Sequence, residues 1–176
     1  MEFSSLPEGL PEPVDDGACD HLAGVIWPEV ALPSSNGALE TVDPALSVVY
    51  VFPMMGRPGV ELPEGWDATP GARGCTVQSL AYAGVDFGGN VRAYGISSQP
   101  PDQLAEAAGR LGLPQVLLSD EGGELKDALA LPEFELGGRR YLRRVTIGIR
   151  AGVIDRVWYP VFPPGSEVES VATWAR

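Results

Sequence analysis

Thr69-Pro70-Gly71-Ala72-Arg73-Gly74-Cys75-Thr76-Val77-Gln78-Ser79-Leu80 is the stretch on which the reading of this chain turns. Before it, Ser47-Val48-Val49-Tyr50-Val51-Phe52 is a β-branched and aromatic run that stops at Pro53, the pattern of a buried strand. After it, Thr76 to Phe87 carries apolar residues at Val77, Leu80, Ala81, Ala83 and Val85, which suits a short helix. Cys75 is thereby placed between the carboxyl end of a strand and the first turn of a helix. Backbone N–H groups in a first turn have no intrahelical partner and favour an anion. A thiol held there tends toward its thiolate, the nucleophilic form. Arg73 adds a positive charge two residues earlier, so Cys75 reads as a reactive cysteine.

Composition narrows what the rest of the chain can be. With 176 residues, 44% hydrophobic and 20% charged, it has the size and make-up of one globular domain with a sizeable core. A net charge of -12, with Lys126 the only lysine, argues against a nucleic-acid backbone or an anionic membrane as partner. No apolar run reaches membrane-spanning length, and no basic-then-apolar leader opens the chain. Two cysteines make no disulfide framework, and a reducing cytoplasm with redox use of a thiol is the expected setting.

Met1 to Gly24, rich in Pro, Glu, Asp and Gly, reads as an acidic, loosely attached arm ahead of a domain spanning 25–176. Cys19 lies in it among Asp15, Asp16 and Asp20, whose charges disfavour a thiolate. It is a poor first nucleophile; a second thiol that attacks an oxidised Cys75 and a free cysteine on an arm are equally open readings. His21, the only histidine, is expected in solvent, and a His-based metal site or Cys–His couple is set aside. Pro33-Ser34-Ser35-Asn36-Gly37 supplies a turn between Val30-Ala31-Leu32 and Leu39-Glu40-Thr41, a hairpin signal. Met54 to Asp67 is too punctuated for regular structure and is expected as a loop beside Cys75, with Trp66 pinning it to the core rather than selecting substrate.

Further on, strands are expected over Val91–Ser98 and Gln115–Asp120, with a helix over Pro100–Leu113 between them and a short helix over Glu124–Ala130 after. Tyr141–Ile149 and Val153–Tyr159 flank Arg150-Ala151-Gly152 as a hairpin, and Glu167–Trp174 closes the chain as a helix. Strand, helix, strand, helix, hairpin and helix make an α/β chain with a mixed sheet.

A strand ending in Phe-Pro, a Thr-Pro-Gly loop and Gly-Cys-Thr-x-Gln opening a helix resemble the peroxiredoxin family, and within it the bacterioferritin-comigratory, Q-type branch. Val91-Arg92-Ala93-Tyr94-Gly95-Ile96-Ser97-Ser98, Leu117-Leu118-Ser119-Asp120 and Arg144-Val145-Thr146-Ile147-Gly148-Ile149 follow in matching order. The chain departs from that pattern in three places: Met54 to Asp67 is a longer loop, Ala72-Arg73 are inserted before Gly74-Cys75, and Leu80 stands where a second cysteine is common. The resemblance implies a thioredoxin-like fold, a central mixed β-sheet flanked by helices with an N-terminal β-hairpin. It further implies a thiol-dependent peroxidase for hydrogen peroxide and organic hydroperoxides, with no cofactor.

On that footing Cys75 attacks the O–O bond and becomes a sulfenic acid. Arg144 is the active-site guanidinium, Pro53 shields the sulfur, and Thr69 supplies a hydroxyl if the two inserted residues bulge outward. Backbone N–H groups around Gly74 and Cys75 are expected to hold the peroxide. Strand alternation points Arg143 away from Arg144, so Arg143 is expected to pair with a carboxylate. Recycling falls to Cys19, of the same or a partner chain, or to an external reductant, a thioredoxin-like protein or a low-molecular-weight thiol. The assembly expected is a monomer or dimer. A redox sensor or interaction module of the same fold, with little turnover, is the competing reading; a thiol–disulfide oxidoreductase lacks its Cys-x-x-Cys.

Overall fold

The structure, a computed structural model, describes residues 3–176, so Met1 and Glu2 of the expected arm lie outside the described residues. The predicted hairpin forms as β1 (Leu32–Pro33) and β2 (Leu39–Glu40), paired antiparallel. The decisive apolar run is β3 (Leu46–Val51), whose last five residues are buried on both faces, as a continuous Val/Tyr-rich strand in the middle of a sheet must be. It is followed by α1 (Cys75–Ala83), β4 (Arg92–Ser97), α2 (Pro101–Leu111), β5 (Val116–Ser119) and α3 (Glu124–Leu129). A small hairpin, β6 (Glu133–Leu136) with β7 (Arg139–Leu142), precedes β8 (Val145–Arg150), β9 (Val153–Trp158) and α4 (Val168–Ala175).

The central sheet runs β5-β4-β3-β8-β9, with β3 parallel to β4 and β4 to β5, and β8 antiparallel to both β3 and β9. This is the expected mixed sheet. One difference concerns Tyr141–Ile149, expected as a single strand. Tyr141 and Leu142 instead end the β6–β7 hairpin, closed by Gly137-Gly138, and β8 starts afresh at Val145. Arg143 and Arg144 sit at that junction.

Alternation along the strands sorts the side chains onto two faces. Val49 and Val51 of β3 and Val145, Ile147 and Ile149 of β8 pack with Leu125 and Leu129 of α3 and with Cys19, Leu22 and Trp27. Val48, Tyr50 and Phe52 point the other way, into a cluster holding Cys75, Tyr82, Leu104, Ala107, Val171 and Ala172, so α1, α2 and α4 cover that face. The N-terminal segment differs from a loosely attached arm. Cys19 and Leu22 are core residues, and Phe3 is buried against the loop after β3. His21 is exposed, as expected, with Nε2 2.9 Å from Leu129 O.

Candidate active site

Helix α1 begins at Cys75 because Gly74 turns the chain into it. Gly74 has φ +108°, in the left-handed region open to glycine, and no side chain caps the helix. A Cβ there would also lie 2.5 Å from Pro164 Cγ and 2.8 Å from Leu6 Cδ2, so glycine is required twice over. The helix is anchored on the sheet through Tyr82, whose ring stacks on Tyr50 of β3 with centroids 4.3 Å apart and planes 7° from parallel. Cys75 is thereby fixed at the carboxyl end of β3, 2% exposed.

Arg144 reaches it from the start of β8. Its Nη2 lies 3.3 Å from Cys75 Sγ and also donates to the carbonyls of Gly71, Ala72 and Arg73 at 3.2, 3.4 and 3.3 Å. Nη1 donates to Gln78 Oε1, and Gln78 Nε2 in turn donates to Glu167 Oε1 at 2.7 Å. Tyr82 and Thr146 hydroxyls, 3.1 and 3.2 Å away, converge on the same buried carboxylate oxygen. That oxygen accepts only, so it fixes which end of the Gln78 amide faces the guanidinium. Burial, then the Glu167 charge, pushes the Tyr82 hydroxyl well above its ordinary pKa, so it stays a donor. Arg144, Gln78, Glu167, Tyr82 and Thr146 thus form one network beneath the sulfur.

Arg143 does point the other way: Nη1 pairs with Asp16 at 2.9 Å and Nε donates to Glu133 O at 3.0 Å. Pro53 is buried directly after β3, its carbonyl held by Ser97 Oγ at 3.0 Å. Gln99 clamps the next turn, accepting from Met55 N at 2.8 Å. Thr69 Oγ1 donates to Gly65 O at 2.9 Å, and Thr69 lines a cavity of about 340 Å³ beside Arg144 that does not include Cys75. Thr76 lines the small cavity that does reach Cys75, and its buried Oγ1 has no hydrogen-bond partner among the described residues; Arg144 Nε is in the same condition. Arg73 pairs with Asp67 at 3.0 Å. Trp66 packs edge-on against Tyr141, centroids 4.9 Å apart, which pins the long loop to the β6–β7 hairpin.

Cys19 is buried on the opposite face of the sheet from Cys75. Loss of solvation, reinforced by Asp16, Asp15 and Asp20, pushes its thiol from 9.0 up to about 12. Sequence reasoning did not foresee the Gln78–Glu167 link. Gln78 was visible three residues after Cys75, but Glu167 is distant in sequence and only the packing of the chain segment before α4 brings it in.

The same arrangement of chain recurs among solved structures. Peroxidoxin BcpB from Mycobacterium tuberculosis superimposes with a TM-score of 0.67 over 88% of this chain and 96% of its own, at 18% sequence identity. The fold is that of the peroxiredoxins. Peroxiredoxin Q from Xanthomonas campestris gives 0.64 over 95% of both chains at 17% identity. A cysteine-to-serine variant of peroxiredoxin Q from Xylella fastidiosa gives 0.62 over 97% and 96% at 16%. No family model and no curated protein sequence matches the chain. On this fold the chain carries the Met54–Asp67 loop, with Phe3 of the N-terminal segment packed against Gly56 within it. No helix among the described residues is long and apolar enough to cross a membrane.

Proposed function

We propose that the protein is a thiol-dependent peroxidase in which Cys75 is the attacking nucleophile. The observation that carries this reading is the guanidinium of Arg144, 3.3 Å from a sulfur seated at a helix start. The Cys75 sulfur attacks one oxygen of a hydroperoxide, forming an S–O bond as the O–O bond breaks. Sulfur gives up two electrons, and the leaving oxygen departs as an alkoxide or hydroxide that takes a proton. Donors aimed at that oxygen lower the barrier. Arg144, the N–H groups after Gly74 and the unpartnered Thr76 hydroxyl supply them, with Pro53 keeping water from the sulfur. Thr76 takes the role first expected of Thr69, whose hydroxyl is engaged elsewhere.

The resulting sulfenic acid is recycled by an external thiol, which condenses with it to a mixed disulfide and water; a second thiol then releases Cys75. The sheet between Cys19 and Cys75 and the high pKa of Cys19 favour this route over internal resolution. The test is intact mass of the reduced protein after one equivalent of hydrogen peroxide, with Cys75→Ser and Cys19→Ser variants alongside. Added oxygen in the wild type and in Cys19→Ser, and none in Cys75→Ser, is expected. Wild type unchanged after minutes would sink the peroxidase reading, and loss of two hydrogens would overturn external recycling.

A further inference from the structure

Phe3 occupies the approach to Cys75. Phe3 is 7% exposed, and its ring packs on Gly56 so closely that a Cβ on that glycine would sit 2.3 Å from Phe3 Cε1. The guanidinium carbon of Arg73 stands 5.1 Å from the ring centroid, over its face. The remaining walls are Met54, Leu62, Trp66 and, at the bottom, Cys75 and Thr76. With the ring in place the void left between these walls is about 10 Å³, room for roughly one water. Leu6 against Gly74 and Pro13 against Gly71 lay the following residues along the same loop and hold the ring where it is.

We propose that Phe3 is a specificity-determining residue: its ring fills an apolar, ring-shaped subsite beside Cys75 that takes the carbon tail of an aryl-alkyl hydroperoxide. The inference rests on the peroxidase reading. Aliphatic, thioether and indole surfaces line the subsite, a cation caps it, and only a glycine backbone lets a flat ring enter so deeply. A phenyl-bearing hydroperoxide that displaces Phe3 meets the same walls, and its O–O group reaches the sulfur at the bottom. Hydrogen peroxide has no tail to exchange for the ring and gains nothing from the subsite. Phe3 therefore competes with substrates in proportion to their apolar bulk.

The experiment compares wild type with Phe3→Ala and Phe3→Leu, the latter keeping an apolar anchor for the segment should the first fail to fold. Two readouts are taken on Cys75, resolved from Cys19 by peptide mass. The first is alkylation by iodoacetamide and by N-benzyl iodoacetamide, which needs no peroxidase activity. The second is single-turnover oxidation by hydrogen peroxide and by cumene hydroperoxide. Emptying a buried aromatic site is worth about 10- to 100-fold, so Phe3→Ala should raise the benzyl reagent and cumene hydroperoxide rates at least tenfold relative to their small counterparts, and Phe3→Leu less. Equal acceleration of large and small reagents, or no acceleration, overturns the subsite. Selective alkylation without oxidation by either peroxide leaves the subsite standing and overturns the peroxidase reading instead.

Discussion

At the scale of single residues, the proposed peroxidase chemistry calls on two donors of different kinds. Arg144 offers a planar fork: Nη2 serves the sulfur and three carbonyls while Nη1 serves Gln78. A lysine carries the same charge but one compact ammonium, and cannot span both sets of acceptors. Arg144→Lys is therefore expected to lower the second-order rate of peroxide reduction by about 100-fold, read by stopped-flow, with far-UV circular dichroism unchanged. A rate within threefold of wild type would mean that charge alone suffices. Thr76 has a hydroxyl that no group among the described residues uses. Thr76→Val keeps the side-chain shape and removes only the donor. A loss of about 10-fold in rate with an unchanged melting temperature is expected, since no hydrogen bond among the described residues is broken; a fall in melting temperature with an unchanged rate would assign the hydroxyl to structure. Arg144 was legible through the family resemblance, by its place before Val145-Thr146-Ile147; strand alternation added only that one of Arg143 and Arg144 can face the sulfur. The role proposed for Thr76 was not, because a hydroxyl in a first helical turn ordinarily caps or packs, and only the burial of its oxygen without a partner among the described residues separates the two.

At the scale of elements, the strand–loop–helix unit was legible because its signals are local: a continuous apolar run ending at Pro53, then a glycine ahead of apolar residues at helical spacing. The β6–β7 hairpin was equally local and was passed over. Glu133-Phe134-Glu135-Leu136 alternates, and Gly137-Gly138 is a two-residue turn, but the longer apolar run from Tyr141 onward masked the break at Arg143-Arg144. The element that carries the site can be tested at its hinge. Gly74 and Gly112 both adopt positive φ, +108° and +63°, at the ends of helices. A Cβ at Gly112 meets nothing within 4 Å, whereas at Gly74 it meets Pro164 and Leu6. Gly112→Ala should cost about 1 kcal/mol from backbone conformation alone, and Gly74→Ala at least about 2 kcal/mol more from overlap in a packed site. Urea denaturation of the two variants reads the difference; equal midpoints would mean that the two segments carrying Leu6 and Pro164 shift freely, and the rigid start assigned to α1 would fail.

At the scale of the whole molecule, the sheet separates two chemistries that the sequence placed in one chain without saying where. Cys75 and Cys19 were both visible as cysteines, one at a helix start and one among aspartates, but their sides of the sheet follow from long-range packing of residues 19–27, which no local pattern encodes. Cys19 sits with Leu22 and Trp27 under β8 and α3 and serves as a small apolar core residue. Its thiol is pushed from 9.0 up to about 12 by burial first and by Asp16, Asp15 and Asp20 next, with Arg143 opposing. A folded-state pKa above the unfolded one means that the neutral thiol is the form the fold favours. The stability tied to it is complete below pH 9 and is lost as pH rises toward 12, because only the unfolded chain releases the proton in that window. Tyr50, whose hydroxyl is also raised from 10.0 to about 12 by burial, gives the wild type and any Cys19 variant the same slope over part of this range. The comparison therefore isolates Cys19: relative to Cys19→Ser, the wild type should lose up to about 1 kcal/mol per pH unit between pH 9 and 11, with a constant difference between pH 7 and 8. Urea midpoints measured across pH 7 to 11 give the two curves. Parallel curves throughout would mean that Cys19 ionises in the fold as readily as in the open chain, reopening a role for it as the thiol that resolves Cys75.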